Sequence, residues 1–473
     1  MWLTGDIVKY KVTTSMISDR HASSPPGIRG RGLVYPRFFL VAICITLTAG
    51  STWGAWLLLR IARARDFSAP SIFEINAHGQ AQIYGWMGLF ILGFALQMFP
   101  SFWGAQLAAP RLARALLLVM TLSILVRAVT EARPVGRWGE LAIGAGALQL
   151  AVIAIFVAIL SATARRSTSR WRVADRFLAA GLVWFLLAAT LDLYHLVHTV
   201  GAPGRDALLA EIATWQLPLR DLQIHGLAVS MILGVSLRVL PGLFGTPMAD
   251  ESRAGRLFWP LQFAIVGEVV LFPLAMATRQ PVFFLFYWSA TVVFSIVTLV
   301  AVSNLRALLR PRYDLPRLSP LAFVRAAHIW LGVSLVMLVA GPFWSRALGL
   351  AFSHAWHGAT RHAITVGFIC LMMIGVASRI APRPTGSGAA GAAMPVGPFV
   401  LLNLGCAVRV SQQVLTDLSP SAFLSAGVSG LLEVSGLAWW AIWIVPRLAR
   451  ASRPLVTARA VMAEASGSVF EGR

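Results

Sequence analysis

The sequence is poor in charge and in cysteine. Of its 473 residues, 12% are charged, against about a quarter in a typical soluble domain, so the chain has too little polar surface to stay in water. Its three cysteines, Cys44, Cys370 and Cys406, lie singly inside apolar runs and form no CxxC pair. These scarcities exclude a soluble enzyme, a disordered chain and a disulfide-stapled secreted domain, and the cysteines are interpreted as small hydrophobic residues.

Long apolar runs are abundant instead. Hydrophobic residues make up 57% of the chain, and the mean hydropathy is +0.72. Uncharged runs of about 18 residues or more predict membrane helices, and their lack of alternation excludes a β-barrel. The clearest charge-free intervals are 38–59, 75–110, 141–164, 280–305, 326–345 and 362–378. Weaker spans are expected at about 111–131, 176–199, 221–243, 257–277, 396–416 and 421–446.

The fold class predicted from these runs is all-α. The chain is interpreted as a polytopic membrane protein with about twelve transmembrane helices, and the lipid bilayer is its first partner. Residues 1–35 are rich in Ser, Gly, Pro and Arg and predict a disordered basic cytoplasmic tail. Residues 36–447 form the expected membrane domain, and 448–473 a second cytoplasmic tail.

The basic residues indicate the orientation. The net charge is +21, but the arginines lie in short loops between apolar runs, so they favour a positive-inside arrangement over nucleic-acid binding. Both tails, the loop after the fourth span and the loop after the eighth span are basic. With twelve spans these segments all fall on one side, which predicts a multi-pass membrane protein with both termini cytoplasmic.

A motif of the form G-x3-[QR]-x2-P-x3-G occurs three times. It begins at Gly93, Gly234 and Gly375, at equal intervals of 141 residues. This interval corresponds to four spans, so the membrane domain is expected to consist of three four-helix units, at about 36–165, 176–310 and 320–447. Spans two, six and ten are then equivalent. The basic residues of the motif, Arg238 and Arg379, are interpreted as helix-end residues that need not contact a ligand.

Seven of the nine histidines are expected near the outer face. His78, His225 and His362 are predicted in the first turn of spans two, six and ten, His195 and His198 end span five, and His354 and His357 precede span ten. Polar residues that converge inside a membrane protein favour a functional site, and imidazole is the usual ligand of haem iron and copper. The alternative is that these residues bond to lipid headgroups or neighbouring helices.

Two further polar residues bear on such a site. Asp192 lies three residues before His195 on the same span, where it could orient that imidazole or form a structural pair with an arginine. Arg409 lies in the outward half of span eleven. It is a candidate partner for a haem propionate, with a link to Asp417 or Glu433 as the alternative.

Three segments carry a resemblance to known families. Residues 78–100 (HGQAQIYGWMGLFILGFALQMFP) and 361–386 (RHAITVGFICLMMIGVASRIAPRPTG) resemble helices of the NnrS family, and 224–245 is similar to its middle helix. The twelve spans and three units are also distantly similar to haem-copper oxidase subunit I, in which three four-helix arcs surround a pseudo-threefold axis.

The NnrS resemblance implies a membrane protein that binds haem and copper and acts in nitric oxide metabolism or the nitrosative-stress response. The oxidase pattern implies that His78 and His362 are the axial ligands of a haem and that His225 binds copper. His195, His198, His354 or His357 are candidate substitutes for the ligands that the pattern lacks in this sequence. A diatomic gas such as nitric oxide and an unidentified electron donor are the implied partners. Whether the protein turns over a substrate is left open.

The sequence departs from the oxidase pattern at three helices. Residues 257–277 contain no histidine where oxidases carry a pair, and span ten carries only His362 where oxidases carry two. Span six lacks the Pro-Glu-Val-Tyr run that follows the histidine in oxidases. These gaps count against a haem-copper oxidase or nitric oxide reductase subunit, which is kept as one alternative. A twelve-span secondary transporter is the other, with Asp192, Glu268 and Glu433 as possible proton or ion relays.

Overall fold

The computed structural model describes residues 34–312, 315, 318–381 and 393–452. Secondary structure within these ranges is helical throughout, which confirms the all-α prediction. Twelve helices follow one another, several of them continuous through short π-helical stretches. They are α1 Tyr35–Ala64, α2 Ile72–Phe102, α3 Pro110–Glu131, α4 Arg137–Ala164, α5 Val173–Val200, α6 Arg205–Phe244, α7 Glu251–Thr278, α8 Pro281–Asn304, α9 Pro320–Ala347, α10 His354–Ile380, α11 Val396–Leu415 and α12 Ala422–Ala451.

Eleven of these helices are long and apolar enough to cross a membrane, when the described part of the chain is searched. The twelfth, α11, has 20 residues, which is enough length for a bilayer. Its amides and Arg409 lower its hydropathy, so composition alone does not support the span expected at 396–416. The expected count of twelve therefore becomes twelve helices with eleven clear membrane spans.

Several predicted boundaries move. The helix expected at 221–243 begins at Arg205 and runs for 40 residues, and α10 begins at His354, with Ser353 as its N-cap. His225 and His362 consequently lie inside their helices and not in the first turn. The helix α12 continues to Ala451, beyond the expected end at 447. The tails at 1–35 and 448–473 lie almost wholly outside the described residues.

The helices α2, α6 and α10 are the most enclosed. In their most apolar stretches 72%, 61% and 72% of residues are buried, against 28% in α8. Glycines let the preceding helices approach them closely. A Cβ on Gly226 or Gly367 would lie 3.0 or 2.5 Å from Trp184 on α5 or Trp330 on α9. Each central helix therefore packs against its predecessor along the chain at a glycine.

The same three helices share an unusual backbone feature. Each contains an eight-residue π-helical segment, Ala81–Gly88, Leu222–Val229 and Ala363–Cys370, and these begin at equal intervals of 141 residues. π-Helical runs are rare in proteins overall, and those that occur are often found at functional sites. The interval is the one at which the glycine-proline motif recurs. Of that motif's third copy, Pro382 and Gly386 lie outside the described residues.

The basic motif residues make structural contacts. Arg238 Nη2 donates to Asp175 Oδ2 on α5 at 2.6 Å, and Arg379 Nε donates to the carbonyl of Leu243 on α6 at 2.6 Å. In the first copy Gln97 accepts from the backbone N–H of Val34 at 2.9 Å. These contacts tie helix ends together, in agreement with the interpretation of both arginines as helix-end residues.

Candidate metal centre

A buried cluster of one histidine and two carboxylates lies between α6 and α7. It consists of Asp221, His225 and Glu268, whose ligand atoms all lie within 4.8 Å of one another. Asp221 and His225 stand four residues apart on one face of α6, and Glu268 enters from α7. Each of the three residues is at most 1% exposed. Two carboxylates at this depth are costly unless protons, cations or hydrogen bonds compensate them.

The imidazole is held from two sides. His225 Nδ1 donates to Glu268 Oε2 at 2.8 Å and lies 3.8 Å from Asp221 Oδ1. Its ring stacks on Phe294 of α8, with 4.1 Å between ring centroids. The ring therefore has a defined orientation toward both carboxylates, as a metal ligand requires.

The charges of the cluster do not balance if His225 is neutral. Arg361 on α10 donates to Asp221 Oδ1 at 2.5 Å and supplies one positive charge against two negative ones. Among the described residues, Asp221 Oδ2 and Glu268 Oε1 are buried without a hydrogen-bond partner. An added proton or a bound cation would neutralise the surplus charge and satisfy these oxygens.

The distances suit a metal ion. Ligand atoms bonded to one ion at about 2.1 Å lie roughly 3 to 3.5 Å apart, and the observed separations of 2.8 and 3.8 Å bracket that range. The ion would replace the proton that His225 shares with Glu268. An imidazole with two carboxylates suits a divalent ion and does not suit copper(I), which prefers sulfur ligands.

His78 on α2 has the surroundings of a haem ligand. Its Nδ1 lies 3.0 Å from the carbonyl oxygen of Gly50 on α1, to which it donates. Gly50 ends a π segment, and its ψ of −113° turns the carbonyl away from the helix. A backbone carbonyl that accepts from one ring nitrogen leaves the other nitrogen to bind a metal. His78 therefore fits an axial role.

His362 on α10 fits that role less directly. Its Nε2 donates to Glu433 Oε1 on α12 at 2.7 Å, so this nitrogen binds iron only if the contact with the carboxylate breaks. His78 packs against Gly54 on α1, Gly430 of α12 packs against the adjacent Ala55, and Glu433 lies about one turn further along α12. The two predicted haem ligands therefore lie in one region of the protein, and their role stays a prediction.

Arg409 on α11 belongs to the same region. It lies one helical turn beyond Gly405, where α11 packs closely against Glu433 of α12. Within the described ranges, its Nε and Nη1 are buried and donate to no acceptor. The alternative partner Asp417 instead accepts from Trp344 and Ser353. Two unsatisfied N–H groups on a cation fit a carboxylate such as a haem propionate.

The histidines of α5 lie elsewhere. His195 is buried and its Nε2 donates to Gln216 on α6 at 2.7 Å, while its Nδ1 lies 3.5 Å from Glu211. His198 is exposed and donates to the carbonyl of Tyr194. Neither belongs to the cluster around His225, and their role as substitute metal ligands stays a prediction.

Asp192 does not orient His195. It accepts from Nη1 and Nη2 of Arg127 on α3, a side chain that is 2% exposed. The same guanidinium donates to Glu131 at 2.8 Å and to Gln149 at 3.0 Å. Of the two readings of Asp192, the structural pair with an arginine is therefore the one observed.

The family model described as NnrS protein matches residues 35–452, almost all of the described chain. The chain belongs to the NnrS family. No curated protein matches it. The resemblance inferred from the helices at 78–100, 224–245 and 361–386 is thereby confirmed.

Sequence reasoning about this NnrS chain missed two members of the cluster. Asp221 was not considered, although its position four residues before His225 places both on one helix face. Glu268 was considered only as a possible ion relay. It is the lone acid in the interior of α7, the helix whose lack of histidine distinguishes the chain from oxidases. That isolation was the available signal.

Proposed function

We propose that this NnrS-family protein binds haem and copper in the bacterial inner membrane and acts in the response to nitric oxide. Family membership supports the nitric oxide response, and the apolar helices fit a multi-pass protein in a lipid bilayer. In this proposal α11 also crosses the membrane, both termini are cytoplasmic, and three four-helix units surround a pseudo-threefold axis. The equal intervals between the π segments support those units.

The buried cluster of Asp221, His225 and Glu268 is the observation that carries the proposal. Its surplus negative charge and two unsatisfied oxygens favour a divalent ion, and copper(II) is the ion that the family resemblance implies. Arg361 pairs with Asp221 and reduces the net negative charge of the cluster. Phe294 covers one face of the imidazole and restricts access of water from that side.

The haem is assigned to His78 and His362, with Arg409 near a propionate. A haem iron held by both histidines would be six-coordinate and would transfer electrons, whereas ligation by His78 alone would leave an open position for a diatomic gas. His78 is oriented for ligation by the Gly50 carbonyl. Glu433 would hold His362 as a proton acceptor until ligation and would then remain close to Arg409. The electron donor and the occurrence of turnover are not defined by these contacts.

The test is metal and pigment analysis of the full chain purified in detergent. We expect stoichiometric copper and a Soret band that shifts on reduction and on addition of nitric oxide. His225→Ala and Glu268→Gln should lose copper and keep the Soret band, while His78→Ala should lose the band. Glu251→Gln, at an exposed position of the same helix as Glu268, is the matched control and should change neither.

Two outcomes would reject this assignment. Wild-type protein without copper or haem after expression with both supplied would refute the proposal. Copper retained in both His225→Ala and Glu268→Gln would show that the cluster is not the copper site.

A secondary transporter is the second candidate, because the unsatisfied oxygens of Asp221 and Glu268 also suit a transported proton or cation. Cation-dependent uptake by vesicles lacking both cofactors would support it. The oxidase or reductase alternative is weaker, since α7 presents Glu268 where those enzymes carry histidines.

A further inference from the structure

An apolar cavity lies between α2, α6 and α10, on the C-terminal side of the histidines. The space available to a guest is small, and the surface facing it is apolar throughout. Four of its lining side chains are methionines, and most of the lining residues are buried. The cavity is therefore enclosed by the three central helices and not by lipid-facing surfaces.

The lining repeats with the period of the chain. Four sets of three residues, each set spaced by 141 positions, contribute one residue from each central helix. They are Met87, Ala228 and Ile369; Phe90, Met231 and Met372; Ile91, Ile232 and Met373; and Phe94, Val235 and Val376. Equivalent positions of the three helices therefore meet around one space.

The composition of the wall determines which guest the cavity accepts. A water molecule there would find no hydrogen-bond partner, and apolar cavities in proteins stay dry and bind xenon or small hydrocarbons. Methionine side chains are unbranched and polarizable, so they adapt to a small guest and attract it by dispersion. We propose that this cavity is a binding site for a small, neutral, apolar molecule.

The cavity and the candidate metal centre share α6. Ala228 in the cavity wall follows His225 by three residues, so the wall begins about one helical turn beyond the cluster. A neutral diatomic gas held in the cavity would lie on the C-terminal side of all three central histidines. That the natural guest is such a gas, nitric oxide in particular, rests on the proposed function. The capacity of the cavity for an apolar guest does not.

Xenon is the probe that tests this capacity. Crystals of the full chain pressurised with xenon should show an anomalous peak between α2, α6 and α10. Val235→Phe should fill the space and abolish the peak, whereas Val266→Phe, at a lipid-exposed position of α7, should leave it. Met372→Ala enlarges the cavity and should raise the xenon occupancy.

The proposal is overturned if wild-type crystals show no xenon at this position, or if unpressurised crystals show ordered water or a lipid acyl chain there. It is also overturned if Val235→Phe and Val266→Phe bind xenon equally. Met372→Ala provides a second reading should Val235→Phe fail to fold. Xenon binding in protein without haem or copper would retain the cavity proposal and reject the proposed function, so the two failures are distinguishable.

Discussion

Replacing Arg127 by Met should destabilise the protein more than most single substitutions. The guanidinium is 2% exposed and donates to Asp192, Glu131 and Gln149. Without it two buried carboxylates lose their common cation. Removal of one member of a buried ion pair costs about 3 to 5 kcal/mol, and we expect the upper end of that range because two anions are affected.

The partner substitution, Asp192→Ala, should destabilise the protein less than Arg127→Met. In Asp192→Ala the arginine keeps Glu131 at 2.8 Å and Gln149 at 3.0 Å, so the charge remains balanced and only the N–H groups that pointed at Asp192 lose their acceptor. We expect a loss near the lower end, about 3 kcal/mol. Combining Arg127→Met with Asp192→Leu and Glu131→Gln should recover much of the stability, because no uncompensated charge then remains buried.

The assay is equilibrium or thermal unfolding of the purified chain in detergent. Glu251→Ala is the control, since it breaks an ion pair with Arg172 whose side chains are 40% and 46% exposed. Such exposed pairs contribute about 1 kcal/mol or less. If Arg127→Met lowered stability by no more than Glu251→Ala, or by less than Asp192→Ala, the reasoning about buried charge would be refuted.

Three further outcomes are expected. Gly367→Ala places a Cβ 2.5 Å from Trp330 and should lower the free energy of unfolding by about 1 to 3 kcal/mol in the same assay. Gly144→Ala is the control, because no atom lies within 4 Å of its Cβ position, and it should be neutral or slightly stabilising. Equal effects of the two substitutions would contradict the close helix packing. Cys370 and Cys406 are buried, so N-ethylmaleimide should label them only after denaturation, as mass spectrometry would show; labelling of either in folded protein would contradict their burial. Asp175→Asn weakens contacts to Trp103 and Arg238 at a fully buried site and should cost about 1 to 3 kcal/mol; a loss no larger than that of Glu251→Ala would argue against it.

The helices could be predicted well from charge and hydropathy alone. The interval between Arg279 and Arg306 contains α8, and the interval between Arg37 and Arg60 falls inside α1. A charged side chain in lipid is costly, so charge-free stretches mark the spans directly. The method failed at α6, whose first 16 residues are polar enough to be taken for a loop and are helical beyond the expected span.

The site could be predicted only in part. The imidazole positions on α2, α6 and α10 were visible from spacing. The pairing of His225 with Glu268 could not be predicted, because these residues lie 43 positions apart on different helices. The same holds for Arg127 and Asp192, which lie 65 positions apart. The π segments also escaped prediction, since they have no known sequence signature and depend on how the helices pack.

The π segments have a consequence for insertions and deletions. A π turn accommodates one residue more than an α turn, so deleting one residue from Leu222–Val229 could restore regular α-helix there. Because the wider turn absorbs the extra residue, the rest of α6 would keep its orientation, and Met231 and Val235 would still line the cavity. The same deletion in a regular α-helical stretch would instead rotate everything beyond it by about 100°. The π segments are therefore the places at which each central helix best tolerates a change of length.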